Sequence, residues 1–375
     1  MTAPLFVFGT LRHRPLLEAI VGDTASVTFA ADRLPGYAVN AVQEGPFPMI
    51  VADCAAFAEG LLLTGLSHTA LDALDFYEST YGYLRRAIHL ESGADALAYF
   101  PPDMGVTPIG PWSLEHWAET WGDISTKGAH EVAQLMQKHS AAEVRAMFPM
   151  IWARAASSLR AQDSKHGVNS FSGTVEVETC ERAYSKFFAM NDYKLRHSRF
   201  DGTFSDTLDR GVLLSPDVAL VLPYDPKRDR VLLVEQFRMG PLVRGDRHTW
   251  QLEPVAGRID AGETPQEAAR REAEEEAGLK LDDLYPVAEV YASPGTSSEF
   301  YYVYLGIADL PTSAEGIGGL ASENEDIRSH VLPFEELMAL CDSQQAANTP
   351  LVVSAYWLAR HRARLRSDAG VSGVS

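Results

Sequence analysis

The densest chemistry in this sequence lies in GRIDAGETPQEAARREAEEEAGL, residues 257–279. Glu272, Glu275 and Glu276 stand there at i, i+3 and i+4, so a helix projects all three carboxylates from one face, where like charges cost about 0.3 kcal/mol per pair. The helix gains nothing from this spacing, and two readings are open. One is a solvated acidic face; the other is a site for a hard, oxygen-seeking cation such as Mg2+, which bridges to phosphate and activates water. A second acidic run, GLASENEDIRSHVL at 319–332, follows Gly316 and Gly318 and opens on Gly319. It suits a loop that closes over a substrate, or an acidic loop without fixed order. In the first half, Glu78 stands among aromatics in LDALDFYESTYGYLRR, where burial would tune a lone carboxyl for proton transfer.

These side chains need elements to hold them. Thr264 as cap, Pro265 at the first helical position, Glu267 completing a capping box and Gly278 as a left-handed stop predict a helix of about 13 residues. Gly257 and Gly262 in the loop ahead of it let backbone approach the same place. Strand patterns surround this helix: TVEVE, VALVLPYD and RVLLVEQF joined by a turn at Asp225–Lys227, YPVAEVYA and EFYYVYLGI. With a last helix capped by Thr349 and opened by Pro350, they predict a mixed sheet between helices, an α/β/α sandwich. Residues 1–110 alternate short apolar runs with Gly and Pro and read as mainly β. Residues 112–162 turn helical, with Ser140 and Glu143 as a capping box and Val144, Met147, Phe148, Ile151, Trp152 and Leu159 at helical spacing. Pro149 is expected to kink that helix or to start a new one. The polar stretch Asp163–Gly173 is the expected linker, giving domains at 1–110 and 166–375 with a helical extension at 111–165.

Composition sets the class. A chain of 375 residues, 46% hydrophobic and 22% charged, has the size of two to three globular domains. A formal charge of −19 opposes attraction to nucleic acid or anionic lipid, so neither is an expected partner. Cys54, Cys180 and Cys341 are odd in number and far apart, which indicates neither a disulfide framework nor a zinc site and suits a reducing cytoplasm. No basic leader and no run of 18 apolar residues is present, so no signal peptide or membrane span is expected.

The residues 257–279 also fill a fixed pattern: Gly257, five residues, Glu263, seven residues, Arg271, Glu272, Ala273, one residue, Glu275, Glu276, one residue, Gly278, Leu279. This resembles the Nudix box at every fixed position. The resemblance implies a hydrolase of nucleoside diphosphates linked to another moiety, using Mg2+ or Mn2+ in its place. It gives Glu272 and Glu276 direct metal contacts, Glu275 a supporting role, Ala256 a carbonyl ligand, and Arg271 with Glu263 an ion pair. Pro294, 15 residues after Leu279, is similar in placement to the ADP-ribose pyrophosphatase branch, although Pro is common in any turn. That branch implies Glu323 as general base and Glu325 as a further metal ligand. It also implies Arg238, Glu253 and Arg210 in the substrate pocket and a domain-swapped homodimer in which Phe187 stacks on the partner's adenine. From composition alone, Phe187 and Phe188 read as core. The resemblance spans about 170–365 and departs at Gly240–His248, whose sequence does not match.

LFVFGTL at 5–11 with Glu78 resembles the γ-glutamylcyclotransferase-like superfamily, a small β-barrel. There the turn Gly9, Thr10 and Leu11 would hold a γ-glutamyl group, with Tyr77 and Tyr83 lining the pocket and Glu78 shuttling protons as 5-oxoproline forms. Ser79 stands where many members carry Gly. An inactive barrel kept for assembly is the other reading of this half. The two-part arrangement is similar to ADP-ribose pyrophosphatases associated with tellurite resistance. The leading expectation is Mg2+-dependent hydrolysis of ADP-ribose to AMP and ribose 5-phosphate. Cyclotransferase activity in the first half, or binding of ADP-ribose without turnover, are the alternatives.

Overall fold

The computed structural model describes residues 2–102, 107–164, 167, 171–320 and 324–371. The chain divides into two compact units, Met1–Ser164 and Lys165–Ser375.

Unit 1 carries β1 (Leu5–Val7), α1 (Arg14–Val21), β2 (Thr28–Val42), β3 (Gly45–Thr64), α2 (His68–Thr80), β4 (Leu84–His89), β5 (Asp95–Phe100) and β6 (Pro108–Pro111). Three further helices follow: α3 (Leu114–Trp117), α4 (Asp123–Leu135) and α5 (Ala141–Gln162). The strands form one sheet in the order β4-β5-β1-β3-β2-β6, with β1 and β5 parallel and the other pairs antiparallel. Among the described residues no pairing joins β4 to β6. The two-residue period of β1 separates two cores. Leu5 and Val7 face a cluster with Leu16 and Leu17 of α1, Leu74 of α2, Leu135 of α4 and Ile151 of α5, while Phe6 packs with Leu34, Ile50, Leu90 and Phe100. Helix α5 begins with the expected capping box of Ser140 and Glu143. It then runs unbroken through Pro149, without the expected new start. The hydrogen bond that Pro149 removes is outweighed by packing on both sides of it, through Val144, Met147 and Phe148 before and Ile151 after.

Unit 2 carries β7 (Val175–Ser185), β8 (Ala189–His197), β9 (Leu208–Leu214), β10 (Val218–Asp225), β11 (Arg230–Phe237), α6 (Met239–Arg244), β12 (Trp250–Glu253), β13 (Val255–Arg258) and α7 (Pro265–Ala277). It continues with β14 (Leu284–Tyr291), β15 (Phe300–Ile307), β16 (Gly316–Gly318), β17 (Ile327–Pro333), α8 (Phe334–Asp342) and α9 (Thr349–Asp368). Strands β7, β8 and β9 form a small antiparallel sheet. The main sheet runs β14-β15-β10-β11-β17-β16, with β12 on β11 and β13 on β10, and its β10–β15 pair is parallel. It is the expected mixed sheet between helical layers. Leu232 and Val234 of β11 pack toward Ala268, Ala269 and Ala273 of α7, and the alternating Val231 and Leu233 pack toward Leu337 of α8 and Leu358 of α9. Three buried alanines let α7 lie close to the sheet. Its ends follow the expected chemistry: Thr264 and Glu267 cap each other's backbone, and Gly278 stops the helix at φ 62°. At α9 the cap is Asn348, one residue before the expected Thr349. The Asn348 side-chain Oδ1 accepts the Leu351 N–H at 3.0 Å, while its Nδ2 donates to Glu253 at 3.1 Å.

Candidate functional site

In unit 2, Ala269, Ala273 and Glu276 continue one face of α7, so the same period that buries the alanines buries a carboxylate. Glu276 is 1% exposed, and its Oε2 accepts the Ala256 N–H at 3.2 Å. Burial first, and then the charge of Glu272, push the Glu276 carboxyl up to about 8. Glu272 is pushed up to about 7, again chiefly by burial, against the pull of Arg271. Its carboxylate fills the space beside Gly257: a Cβ built on that glycine would lie 1.8 Å from Glu272 Oε1. The glycine is therefore required by close approach, and β13 and α7 meet there through carboxylate and bare backbone.

Arg271 holds this ridge together. It makes a two-pronged pair with Glu263, Nε to Oε1 at 2.9 Å and a terminal nitrogen to Oε2 at 3.0 Å. It also donates to Glu272 at 2.6 Å, to Glu275 at 2.9 Å and to the Arg258 carbonyl at 3.0 Å. The sequence pattern anticipated the Glu263 bond, and the i, i+4 spacing on the helix allows the one to Glu275; nothing in the spacing announced the other two.

Glu325 belongs to the same electrostatic cluster. Its charge raises the carboxyls of both Glu272 and Glu276, and with Glu276 it supports the Arg238 cation. Its own Oε2 accepts the Leu320 N–H at 3.1 Å. Glu323 lies outside the described residues. Arg238 pairs with Glu253 through Nε at 2.8 Å and a terminal nitrogen at 2.7 Å. Burial works against the Arg238 charge, yet the bond to Glu253 and the nearby glutamates hold its pKa above the usual value. Asn348 completes this group through Glu253, a partner that sequence reasoning missed because it lies 95 residues away.

The remaining expected positions are peripheral. Arg210, on β9 opposite Tyr193, is exposed and bonds to the Asp209 carbonyl. Pro294 is exposed in the turn whose Thr296 carbonyl accepts the Leu213 N–H at 2.9 Å, so the loop is tied to the end of β9. Phe187, in the β7–β8 turn, is 57% exposed and meets Phe188 edge to face at 4.9 Å. Phe188 is 43% exposed, so neither ring is core as composition alone suggested. The unmatched stretch 240–248 begins within the short helix α6.

Whether the acidic ridge suits a divalent cation is decided by its donors. Glu272, Glu276, Glu325 and the Ala256 backbone offer oxygens alone, the set that Mg2+ takes. Glu276 is buried and Glu272 partly so, and the charge of Glu272 disfavours that of Glu276, an arrangement that a cation relieves. Among the described residues no three His, Cys, Asp or Glu side chains are gathered at ligating distances; Glu272 is turned onto Arg271, and Glu325 onto the Leu320 amide. The donor chemistry fits the group.

Unit 1 has a cavity of its own, built around Glu78. Ser67 caps α2 by accepting the Ala70 N–H, and Leu71, Leu74, Tyr77 and Glu78 then share its buried face. Glu78 is 8% exposed, and burial alone pushes its carboxyl up to about 8. The turn Gly9, Thr10 and Leu11 lines the same cavity with Tyr77 and Tyr83. Gly9 sits so close to Pro48 that a Cβ would lie 2.8 Å from its ring, and the Tyr83 hydroxyl donates to the Pro48 carbonyl at 3.2 Å. The expected residues of this half are thus brought together. Tyr81, Phe47, Ser125 and Trp152 also line the cavity and were not anticipated; Tyr81 at least stands in the same aromatic run as Glu78.

Comparison with known proteins follows the same division. Residues 214–352 match the NUDIX domain family, and residues 5–118 match the family described as Gamma-glutamyl cyclotransferase, AIG2-like. The ADP-ribose pyrophosphatase of Escherichia coli strain K12 is 39% identical over 194 residues, covering 52% of this chain and 92% of that protein. The ADP-ribose pyrophosphatase of Haemophilus influenzae is 35% identical over 196 residues, covering 52% and 90%. The GDP-mannose pyrophosphatase of Yersinia pestis is 30% identical over 173 residues, covering 44% and 83%.

Proposed function

The chain belongs to the Nudix family, and on that basis we propose that unit 2 hydrolyses ADP-ribose to AMP and ribose 5-phosphate in a Mg2+-dependent reaction. The observation that carries this reading is the cluster of Glu272, Glu276 and Glu325, whose charges act on one another and on Arg238. Glu272, Glu276, Glu325 and the Ala256 carbonyl would hold the metal, with Glu275 in support. Bound Mg2+, or Mn2+ in its place, supplies positive charge opposite the diphosphate oxygens and polarises water. Arg238, held at a fixed angle by Glu253, orients the substrate, and Arg210 adds a second guanidinium at the edge. Glu323 takes the proton as water attacks one phosphorus and the bridging P–O bond breaks.

The unit works as a homodimer through the exposed aromatics of its small sheet, with Phe187 stacking on adenine bound by the partner and Pro294 shaping the pocket rim. Cys54 and Cys180 are exposed thiols and Cys341 a buried one, which suits the cytoplasm. No described helix is long and apolar enough to cross a membrane.

The test is AMP release from a panel of ADP-ribose, other nucleoside diphosphate sugars and GDP-mannose with Mg2+ and with Mn2+. ADP-ribose is expected to give the highest kcat/KM, and Arg238→Ala to raise KM about tenfold or more, the loss expected of a charged hydrogen bond. A better GDP-mannose substrate overturns the specificity; tight ADP-ribose binding without AMP makes the unit a sensor.

A second reading concerns unit 1 and rests on Glu78, a buried carboxyl beside the Gly9–Leu11 turn in a tyrosine-lined cavity. Here a γ-glutamyl amide is the substrate. Its α-amino nitrogen bonds to the γ-carbonyl carbon, the γ C–N bond breaks, and Glu78 carries the proton from the attacking amine to the leaving one. 5-Oxoproline and a free amine result, with no water consumed. Release of 5-oxoproline from γ-glutamyl amides, abolished in Glu78→Gln, is the expected outcome; its absence overturns this reading.

A further inference from the structure

The match to the cyclotransferase family ends at residue 118, yet the cavity around Glu78 does not. Ser125 of α4 and Trp152 of α5 line it, together with Trp117 at the end of α3. Trp152 is set by contact on two sides. Gly128 of α4 leaves just enough room for it, since a Cβ there would lie 3.3 Å from Trp152 Cδ1 and 3.4 Å from Ile151. On its own helix, Phe148 packs against it at 5.1 Å, and Trp121 meets it at 5.7 Å. Through Phe148 the contacts pass to Tyr81 at 4.9 Å and from there to Tyr77 at 5.6 Å. An aromatic wall therefore runs from the helical pair to the residue beside Glu78. Among the described residues that line the cavity Glu78 is the only charged one, with no Lys or Arg beside it.

We infer that α4 and α5 form a specificity wall, and that unit 1 acts on γ-glutamyl amides of an uncharged apolar amine, with an aromatic amine seated against Trp152. This rests on the cyclotransferase reading of unit 1 and adds to it the chemistry of the leaving amine. A charged leaving group, such as the free end of a γ-glutamyl-ε-lysine, would enter a wall that offers it no counter-ion and would lose hydration without recompense. An aromatic ring meets ring faces and edges at ordinary packing distance.

The experiment measures 5-oxoproline formed by the full chain from γ-glutamylbenzylamide, γ-glutamylmethylamide and γ-glutamyl-ε-lysine. The benzylamide is expected to exceed each of the others at least thirtyfold in kcat/KM. Trp152→Ala should bring the benzylamide to methylamide ratio close to one by raising the benzylamide KM at least tenfold while kcat holds, and Trp152→Phe should restore most of the preference. Equal kcat/KM for benzylamide and methylamide, or a preference that survives Trp152→Ala, overturns the wall. If no amide yields 5-oxoproline, the cyclotransferase reading has failed, and the wall is judged on binding alone. In a tryptophan-fluorescence titration of Glu78→Gln, benzylamide bound tenfold more tightly than methylamide supports it, and equal binding overturns it.

Discussion

Both units bury a glutamate on the inner face of a capped helix, and in both cases burial pushes the carboxyl up to about 8. What surrounds the two groups differs. Glu78 stands among Tyr77, Tyr81 and Tyr83 with no charged neighbour among the described residues lining its cavity, so the change open to it there is to gain or lose a proton. Glu276 stands within the field of Glu272 and Glu325, where crowded negative charge favours any positive partner, a proton or a cation. The same side chain, on helices of the same length, thus meets uncharged aromatic rings in one place and other carboxylates in the other, which is why the proposed roles differ. The lesson is that the neighbours, more than the buried carboxyl, set the chemistry.

The sharpest break of this comparison is a crossed pair of variants. Glu78→Gln should lower 5-oxoproline formation by about 10²–10⁴, the size of a lost general base, and leave AMP release intact. Glu272→Gln should lower AMP release by about 10²–10³ and leave 5-oxoproline formation intact. If either variant damages both activities, the sites are not independent in the way their surroundings suggest. Next in size is Gly257→Ala. The added Cβ must displace the Glu272 carboxylate, and a shift of about 1 Å at a reacting centre costs about 10²-fold in rate; a variant with unchanged AMP release would show that Glu272 has no fixed role.

The buried proton of Glu78 supplies a pH test. Its pKa in the folded chain is above the unfolded value of 4.5, so the folded state holds the proton more tightly. The associated stability is complete below pH 4.5 and lost as pH rises through about 8. Denaturant unfolding of the full chain, followed at a unit 1 tryptophan, should weaken between pH 5 and pH 8, and Glu78→Gln should flatten that slope. Smaller still is Thr264→Ala, which removes one half of the α7 capping box and should cost about 1 kcal/mol, read as a modest drop in unfolding midpoint of unit 2.

Much of unit 2 was legible because its signals are local. Thr264, Pro265, Glu267 and Gly278 lie within 15 residues, and each acts on backbone a few atoms away. The unbroken apolar run 231–234 likewise marks a strand buried on both faces of the main sheet. The parts that escaped depend on distance or on competition. Asn348 reaches Glu253 across 95 residues, and no spacing encodes such a bond. It also displaced Thr349 as the cap of α9, since both residue types cap well and only the fold decides between them. Pro149 pointed to a kink or to a new helix, and α5 makes no new start there, its apolar contacts becoming countable only once α1, α2 and α4 are in place. The aromatic wall of unit 1 was invisible for the same reason: Trp152 read as one more apolar residue at helical spacing, and the cavity that it lines is a property of three helices together.

Arg271 carries a consequence for how unit 2 balances its charge. One guanidinium is shared among Glu263, Glu272, Glu275 and the Arg258 carbonyl, so the acidic ridge brings its own counter-ion. Three of the ridge's carboxylates are thus paired within the chain itself. A chelator should silence the proposed AMP release and lower the melting temperature of unit 2 only by the linkage of the lost cation.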